Sequence, residues 1–408
     1  TIELPGGNTR QTKQLQDLKI ELRQQLADEW LVATEALPGK LLTALRLKRT
    51  AEDQETEDQE AETGLQQQLS RETIGLDDFV LPLKRIADQQ TSDSFASIWQ
   101  ELKKEYEVEA TARVEFNAQN FHTWQDFDTD QPSAWRTLGL GLAGDPCSCG
   151  EFALPSAGDD MVSAILPAGL FTHLLSDRLN GTLQSPWIPT EHKYVSLQLL
   201  GGGLSMVRAV VDSCSLNEYA GGGKRYLDEA DLHWKRFPTS AGPPHRSYLD
   251  LTTKTDNVRW PDRPGVAGTE KEKLQSPRSW FGVTRVVLHD CEETPREDLS
   301  HFLRLFDRPV PQTMEDVVHA YQAECQESIE AWRNEKATND DVSWINWLLS
   351  SHLLTNSVKA GRPVVDLVQQ YRDVESQIPQ PRVVAGMSDH GPGFDSPLLR
   401  RGNAEDLG

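Results

Sequence analysis

Residues 167–214 read PAGLFTHLLSDRLNGTLQSPWIPTEHKYVSLQLLGGGLSMVRAVVDSC and form the densest β-prone stretch of the chain. From Tyr194 to Leu200, apolar side chains alternate with serine and glutamine, as in a strand that is buried on one side. The run Met206–Val211 follows three glycines, and we expect it to be the hairpin partner or a near neighbour of the first run. The stretch therefore predicts the centre of a β-sandwich, with any binding site beside it on loops from later residues.

Further strand candidates lie on both sides of this stretch. They are short, are separated by turns and have no helix between them, which favours an antiparallel sandwich over a parallel α/β sheet. These candidates are Trp135–Leu140, Glu151–Leu154, Met161–Leu166, Ser247–Thr253 and Trp280–His289. Residues 121–293 are therefore predicted to form a β-sandwich.

The regions on either side of the predicted sandwich have helical periodicity. Residues 1–120 carry a narrow stripe of leucines ending at Trp30, typical of a helical hairpin or coiled-coil-like arm. In residues 294–378, Thr313 and Asp316 have the spacing of a capping box, and Pro363 is suited to the first turn of a helix. Residues 379–408 are rich in glycine and proline and predict an extended tail. The predicted class is α+β multidomain, with a galactose-binding-like or lectin-like antiparallel sandwich flanked by N- and C-terminal helical regions.

Charge and hydropathy exclude several classes of partner. The chain has 408 residues, 63 acidic and 41 basic, for a formal net charge of −22. Its mean hydropathy of −0.55 argues against an integral membrane protein, and no membrane span is expected. The negative charge would repel nucleic acid and anionic membrane surfaces, so neither is an expected partner.

Motifs of catalysis and cofactor attachment are missing from the sequence. It contains no nucleophile elbow, phosphate-binding loop, zinc-protease helix or Cys-x-x-Cys-His haem motif. We therefore predict no catalytic residue and no certain cofactor, and the chain is more consistent with a non-enzyme. Of the five cysteines, Cys214 and Cys291 are the best candidates for a bridge between strands if the protein is exported.

One acidic pattern indicates a possible metal site. Asp126, Asp128 and Asp130 alternate as at the start of a calcium loop, although the glycine and distal glutamate of an EF-hand are missing. We predict these three carboxylates as candidate Ca²⁺ ligands in a loop of the sandwich.

Aromatic residues are the clearest indication of a ligand. Tryptophan rings on loops can stack on the apolar faces of sugars, while arginine and aspartate bond the hydroxyl groups. Two local sets have this composition, and the predicted ligand-binding residues are Trp234, Arg236, Arg259, Trp260 and Asp262.

Several segments resemble a known family. They are residues 167–188 and 194–214, LDEADLHWKRF at 227–237, RSWFGVTRVVLHD at 278–290 and GPGFDSPLLRRGN at 391–403. They are similar to the middle and C-terminal parts of large secreted planctomycete proteins that combine c-type cytochrome domains with planctomycete-specific domains of unknown function. The resemblance implies a secreted or periplasmic location and an internal or processed segment without the haem-binding part.

These observations lead to three functional hypotheses. The first is a non-catalytic module of an exported planctomycete protein that binds a glycan or another cell-surface polymer. The second is a structural or scaffold protein of an extracellular or periplasmic assembly, which contacts domains of the same parent protein or forms a homo-oligomer. The third and weakest is a polysaccharide-active enzyme.

Overall fold

The computed structural model describes residues 9–51, 64–71, 73–88, 95–144, 146–214, 224–240, 242, 245–257, 276–360 and 363–383. Most of the predicted tail, like Arg259, Trp260 and Asp262, lies outside these residues. The helices are α1 (Thr9–Thr34), α2 (Leu37–Ala51), α3 (Gly64–Leu69), α4 (Leu81–Asp88), α5 (Phe95–Asn120), α6 (Ser300–Phe306), α7 (Met314–Arg333), α8 (Asn339–Ser350) and α9 (Pro363–Ser376). The strands are β1 (Phe121–Asp126), β2 (Arg136–Leu138), β3 (Glu151–Ala153), β4 (Ala164–Leu166), β5 (Leu170–Phe171), β6 (Thr182–Gln184), β7 (Tyr194–Gly202), β8 (Met206–Val211), β9 (Lys224–Tyr226), β10 (Glu229–Pro238), β11 (Ser247–Thr252) and β12 (Trp280–His289).

The helices before and after the strands share one hydrophobic core. Leucines of the α1 stripe lie in the same buried cluster as side chains of α7, α8 and α9. At its centre the rings of Trp30 and Trp332 stack at 5.0 Å, so the first and seventh helices are in direct contact. The predicted capping box is confirmed, because the Thr313 side chain accepts a hydrogen bond from Asp316 N and the Asp316 carboxylate accepts one from Thr313 N.

The strands form two five-stranded antiparallel sheets. Sheet I has the order β1-β12-β7-β10, with β5 also paired to β12, and sheet II has the order β2-β6-β11-β8-β9. Leu197 and Val286 of sheet I belong to the same buried cluster as Val207 and Leu249 of sheet II. The prediction of helices together with antiparallel β-sheets is therefore confirmed.

The two central runs are not paired as a hairpin, which was one of the two arrangements that we expected. Strand β7 pairs with β12 and β10, whereas β8 pairs with β11 and β9, so the chain passes from sheet I to sheet II at the glycines. Gly203 has φ +63°, and an added Cβ atom would meet the backbone of Arg278. This tight turn connects an inner strand of sheet I to an inner strand of sheet II, since β7 lies between β12 and β10 and β8 lies between β11 and β9.

A third, two-stranded sheet of β3 and β4 links the strands to the helices. Phe152 and Ile165 of this sheet belong to the helical core and not to the core between sheets I and II. Next to it, Lys19 Nζ of α1 donates to Glu151 Oε2 at 2.7 Å. Part of residues 121–293 therefore packs with the helices.

A second junction joins sheet I to the last helix. Arg278, two residues before β12, donates through Nη1 and Nη2 to the Glu375 carboxylate of α9 at 2.7 and 2.9 Å. The Ser176 hydroxyl also donates to Glu375. Paired, buried charges of this kind are geometrically demanding, so they fix the position of α9 against the strands.

All five cysteines are free thiols in the structure, including Cys214 and Cys291. Within the described ranges, no helix is both long and apolar enough to cross a membrane.

Candidate ligand-binding face

The register of sheet II brings four polar side chains into one line across its strands. Arg136 of β2 lies opposite Gln184 of β6, which lies opposite Asp250 of β11, which in turn lies opposite Arg208 of β8. Residues directly opposite each other in a sheet point to the same face. Leu249, next to Asp250 along the strand, lies in the core shared with sheet I. The line, which we call the polar row, therefore faces away from that core.

Asp250 is the centre of the polar row. Its Oδ2 atom accepts hydrogen bonds from Arg208 Nε at 2.8 Å and from Arg208 Nη2 at 2.6 Å. Its Oδ1 atom accepts from Gln184 Nε2 at 3.1 Å. The side chains of Arg208 and Asp250 are 9% and 3% exposed, a depth at which a charge needs a close partner. The carboxylate thus fixes both the guanidinium and the amide.

Exposure changes along the polar row. Arg136 and Gln184, on the edge strand and its neighbour, are half-buried, whereas Asp250 and Arg208 are almost fully buried. The Gln184 amide donates one hydrogen to Asp250, and among the described residues its Oε1 atom accepts none. One end of the row therefore offers polar groups that a ligand can reach.

Two aromatic rings stand beside the row. Tyr248 lies two residues before Asp250 on the same face of β11, and its ring meets that of Trp187 edge-on, with centroids 5.7 Å apart. Burial raises the pKa of the Tyr248 phenol to about 12, and the nearby Asp250 carboxylate acts in the same direction. Tyr248 therefore stays a neutral hydroxyl at physiological pH. Trp187 is half-buried and presents part of its indole to solvent.

Hydroxyl and carboxyl groups continue the face on the other side of the row. Thr182 and Thr252 lie opposite each other on β6 and β11. The Thr252 Oγ1 atom is buried, and the described residues provide it with no hydrogen-bond partner. Asp256 accepts a hydrogen bond from Asn180 Nδ2 at 2.8 Å, and burial raises the pKa of its carboxyl group. The face is thus dense in the groups that bond hydroxyls.

The predicted residues Trp234 and Arg236 lie elsewhere, on sheet I. We expected them on a loop, but they belong to β10, opposite Gln198 and Ser196 of β7, and also face away from the shared core. Arg236 lies over the ring of Tyr194 at 4.5 Å and pairs with a glutamate. The structure therefore brings Trp234 and Arg236 together on one strand, but separate from the polar row.

The three candidate calcium ligands lie at the end of β1 and in the turn that follows it. Asp126 Oδ1 accepts from Asp128 N at 3.0 Å, and Asp126 Oδ2 pairs with Arg285 Nε at 3.2 Å. Asp130 N donates to Asp126 O at 2.9 Å, which closes the turn. In the part of the chain that the structure describes, no group of three or more His, Cys, Asp or Glu side chains is arranged to hold a metal ion. Calcium at Asp126, Asp128 and Asp130 stays a prediction.

Sequence reasoning missed the polar row, although one signal was present. In Ser247–Thr252, tyrosine, aspartate and threonine alternate with leucines, which marks Asp250 as an outward-facing acidic residue in a strand. Its partners come from residues 42 and 66 positions away. No spacing in the sequence indicates which strands will be neighbours.

Comparison with known proteins gives limited results. No protein-family model matches the chain, and no curated protein matches it. Two solved structures align with it. One is TmCBM61 in complex with beta-1,4-galactotriose, at 12% identity, 41% of this chain, 99% of that chain and a TM-score of 0.22. The other is a cleaved adhesin domain of Lys-gingipain from Porphyromonas gingivalis, at 9% identity, 42% of this chain, 98% of that chain and a TM-score of 0.22.

Proposed function

We propose that sheets I and II form a β-sandwich of the galactose-binding-like or lectin-like kind, and that it is a non-catalytic carbohydrate-binding module. The observation that carries the proposal is the more exposed end of the polar row, where Arg136 lies opposite Gln184 and the half-buried Trp187 follows three residues later along the chain. Binding sites for small polar ligands combine an apolar or aromatic surface with a few oriented polar groups. This face has both.

Each group has a chemical role toward a sugar. The exposed part of the Trp187 indole would stack on the apolar face of a pyranose ring. Gln184 Oε1 would accept a hydrogen bond from one hydroxyl, and the Arg136 guanidinium would donate to its neighbour. Asp250 would act indirectly, because its carboxylate holds the Gln184 amide in one orientation. Arg208 in turn holds that carboxylate in place.

The setting of this module follows from the family resemblance. We propose that it belongs to an exported planctomycete protein, is secreted or periplasmic, and binds a glycan or other cell-surface polymer. Calcium at Asp126, Asp128 and Asp130 is part of the proposal and is tested by measuring binding with added Ca²⁺ and with chelator.

A glycan array followed by calorimetry tests the function and its location. The matched variants are Trp187→Ala in the segment after β6 and Trp234→Ala on β10 of sheet I, both of which remove a half-buried indole. We expect Trp187→Ala to weaken binding about tenfold, since a stacked ring contributes on the order of 1.5 kcal/mol. Trp234→Ala should bind as the unchanged protein does. Loss of binding in Trp234→Ala alone would move the site to β10, and no binding to any polysaccharide would refute the proposal.

A scaffold role is the second candidate, and the junctions between helices and sheets favour it. The Arg278–Glu375 and Lys19–Glu151 pairs attach helices from both ends of the chain to the strands. Such a rigid body could hold neighbouring domains of a parent protein or a second copy at fixed positions. Light scattering of the isolated chain tests this, since a scaffold that self-associates gives a mass above 45.8 kDa. A reducing-end assay on candidate polymers covers the third hypothesis, a polysaccharide-active enzyme.

A further inference from the structure

We propose that the helices α1 and α2 form an arm that two copies of this chain exchange. We call residues 9–51 the exchange arm, and we call the parts of α7, α9 and β3 that contact it the receiving surface. In the exchanged dimer, the arm of each copy lies on the receiving surface of the other copy. The proposal does not rest on carbohydrate binding, and it specifies an interface for the second candidate function, a scaffold that self-associates.

The apolar side of the exchange arm is covered by elements far along the chain. Trp30 of α1 is fully buried, and its ring stacks on that of Trp332 of α7 at 5.0 Å. The Trp30 indole also donates through Nε1 to Thr355 O at 3.2 Å, a contact between residues 325 positions apart. In addition, α1 packs on α9 and α2 packs on α7. Such contacts have the same geometry whether the arm belongs to the same copy or to another one.

Charge complementarity makes the receiving surface specific for this arm. Lys19 Nζ lies 2.7 Å from Glu151 Oε2, and Arg23 Nη2 lies 3.3 Å from Glu151 Oε1. Further along α1, Asp28 pairs with Arg333 of α7 at 2.8 Å. The Lys19 and Arg23 side chains are 7% and 9% exposed, and a charge at this depth is costly without its partner. A second copy carries the same charges at the same spacing, so its arm satisfies every partner.

The turn between α1 and α2 is also bound to later parts of the chain. Gln322 of α7 donates through Nε2 to Thr34 O, at the last residue of α1, with a distance of 3.0 Å. Lys40 of α2 donates through Nζ to Leu353 O at 2.9 Å. The exchange arm is therefore recognised along its length, and not only at the two tryptophans.

The length of the connection allows the arm to reach another copy. Helix α2 ends at Ala51 and α3 begins at Gly64, which leaves 12 residues between them. A stretch of this length spans at most about 40 Å. A tethered arm has an effective concentration on the order of 1 mM at its own receiving surface. Because the contacts within one copy and between two copies are identical, we expect the exchanged dimer to compete with the monomer at protein concentrations of that order.

Zero-length cross-linking of isotope-mixed copies tests the proposal. Equal amounts of unlabelled and ¹⁵N-labelled full chain are mixed at about 1 mM, the order of the effective concentration. They are incubated in urea below the unfolding midpoint, where segments open without global unfolding. After the urea is removed, a carbodiimide joins the Lys19 amine to the Glu151 carboxylate as an amide and takes up the water. The control pair lies outside the arm and consists of Lys103 of α5 and Asp307, 2.9 Å apart.

The expected result is a covalent dimer with one mixed cross-link. Half of its Lys19–Glu151 peptides should join a labelled to an unlabelled copy, because the copies pair at random. Its Lys103–Asp307 peptides should join residues of the same copy. Lys19→Arg keeps the positive charge but has no amine for the carbodiimide, so it should lose the covalent dimer while light scattering at the same concentration still shows the dimer mass.

Four outcomes would overturn the proposal. One is that no dimer forms at about 1 mM. Another is a dimer whose Lys19–Glu151 peptides all stay within one copy, which would leave a scaffold that self-associates through a different surface. Isotope mixing at Lys103–Asp307 as well would show that more than the arm is exchanged. An equal yield of covalent dimer from Lys19→Arg would show that a different pair joins the copies.

Discussion

The junction between the sheets and the last helix provides a quantitative test of the fold. Glu375 is 5% exposed and accepts two hydrogen bonds from Arg278, whose side chain is 26% exposed. The substitution Glu375→Gln keeps the size of the Glu375 side chain and removes its charge. The Ser176 hydroxyl can still donate to the amide oxygen, so the main loss is the pairing with Arg278.

The size of the effect follows from the partners that remain. Hydrogen bonds to charged groups contribute roughly 1.5–3 kcal/mol each, and a buried charge left without a partner costs about 3–5 kcal/mol. Arg278 keeps its second partner, Asp177, and is partly solvated. We therefore expect Glu375→Gln to lower the free energy of unfolding by about 2–3 kcal/mol.

Urea unfolding, followed by far-ultraviolet circular dichroism and by tryptophan fluorescence, measures this change. Both signals should shift together, because Glu375 connects a helix to the strands. The control is Asp373→Asn, which removes an exposed charge from the same helix and should change stability by less than about 0.5 kcal/mol. A Glu375→Gln protein as stable as the control, or a shift seen in only one signal, would refute the coupling.

The dependence of this effect on pH has a definite sign. Burial alone raises the pKa of the Glu375 carboxyl, but hydrogen bonds from Arg278 and Ser176 outweigh it and hold the pKa below its ordinary value of 4.5. A group with a lowered pKa in the folded state stabilises the protein above its unfolded-state pKa and ceases to do so as the pH falls through the folded-state value. The difference in free energy of unfolding between Glu375→Gln and the unchanged protein should thus reach its full size above about pH 5. It should fall to zero as the pH drops below the folded-state pKa of Glu375.

Three other changes test separate parts of the structure, each by urea unfolding. Thr313→Ala removes the capping box of α7 and should lower the free energy of unfolding by about 1 kcal/mol. A decrease under about 0.3 kcal/mol would show that the cap contributes little. Gly203→Ala places a Cβ atom against the backbone of Arg278 at a φ of +63° and should cost about 2 kcal/mol or more; a neutral result would contradict the tight turn between the sheets. Trp332→Phe loses the indole hydrogen bond to Gly150 O, 2.8 Å long, and should cost about 2–3 kcal/mol; a cost under about 1 kcal/mol would show that water replaces the lost donor.

The elements of the fold were more predictable than their arrangement. Periodicity located the main helices, the capping box and the runs that became β7, β8, β11 and β12, because local side-chain patterns depend on which face is buried. The strand β10 was missed, since its residues from Glu229 to Arg236 are mostly polar and half-exposed. The pairing of β7 with β12 joins residues about 90 positions apart, and nothing in the local sequence specifies such a contact.

The site was less predictable still, for a physical reason. We predicted Trp234 and Arg236 because a tryptophan and an arginine lie close together in the sequence. Residues that are close along one strand, however, form a single narrow line on the sheet and cannot surround a ligand. The polar row is built across strands, from one residue on each. Its members come from four separate segments, so only the register of sheet II brings them together. The expectation of a site outside residues 167–214 also differs from this face, since Gln184, Trp187 and Arg208 all lie within that stretch.

The outward faces of the two sheets have different contacts with the rest of the chain. On sheet I, the Trp280 ring lies 4.4 Å from that of His173, and Gln198 donates to Glu297 of the segment that follows β12. That segment is held in turn by α5, because Asn117 Nδ2 donates to Arg296 O at 2.8 Å. The outward face of sheet I therefore contacts the segment that α5 holds in place. The centre of the outward face of sheet II is instead an ion pair, Arg208 with Asp250, and the role that we propose for the more exposed end of its polar row is carbohydrate binding.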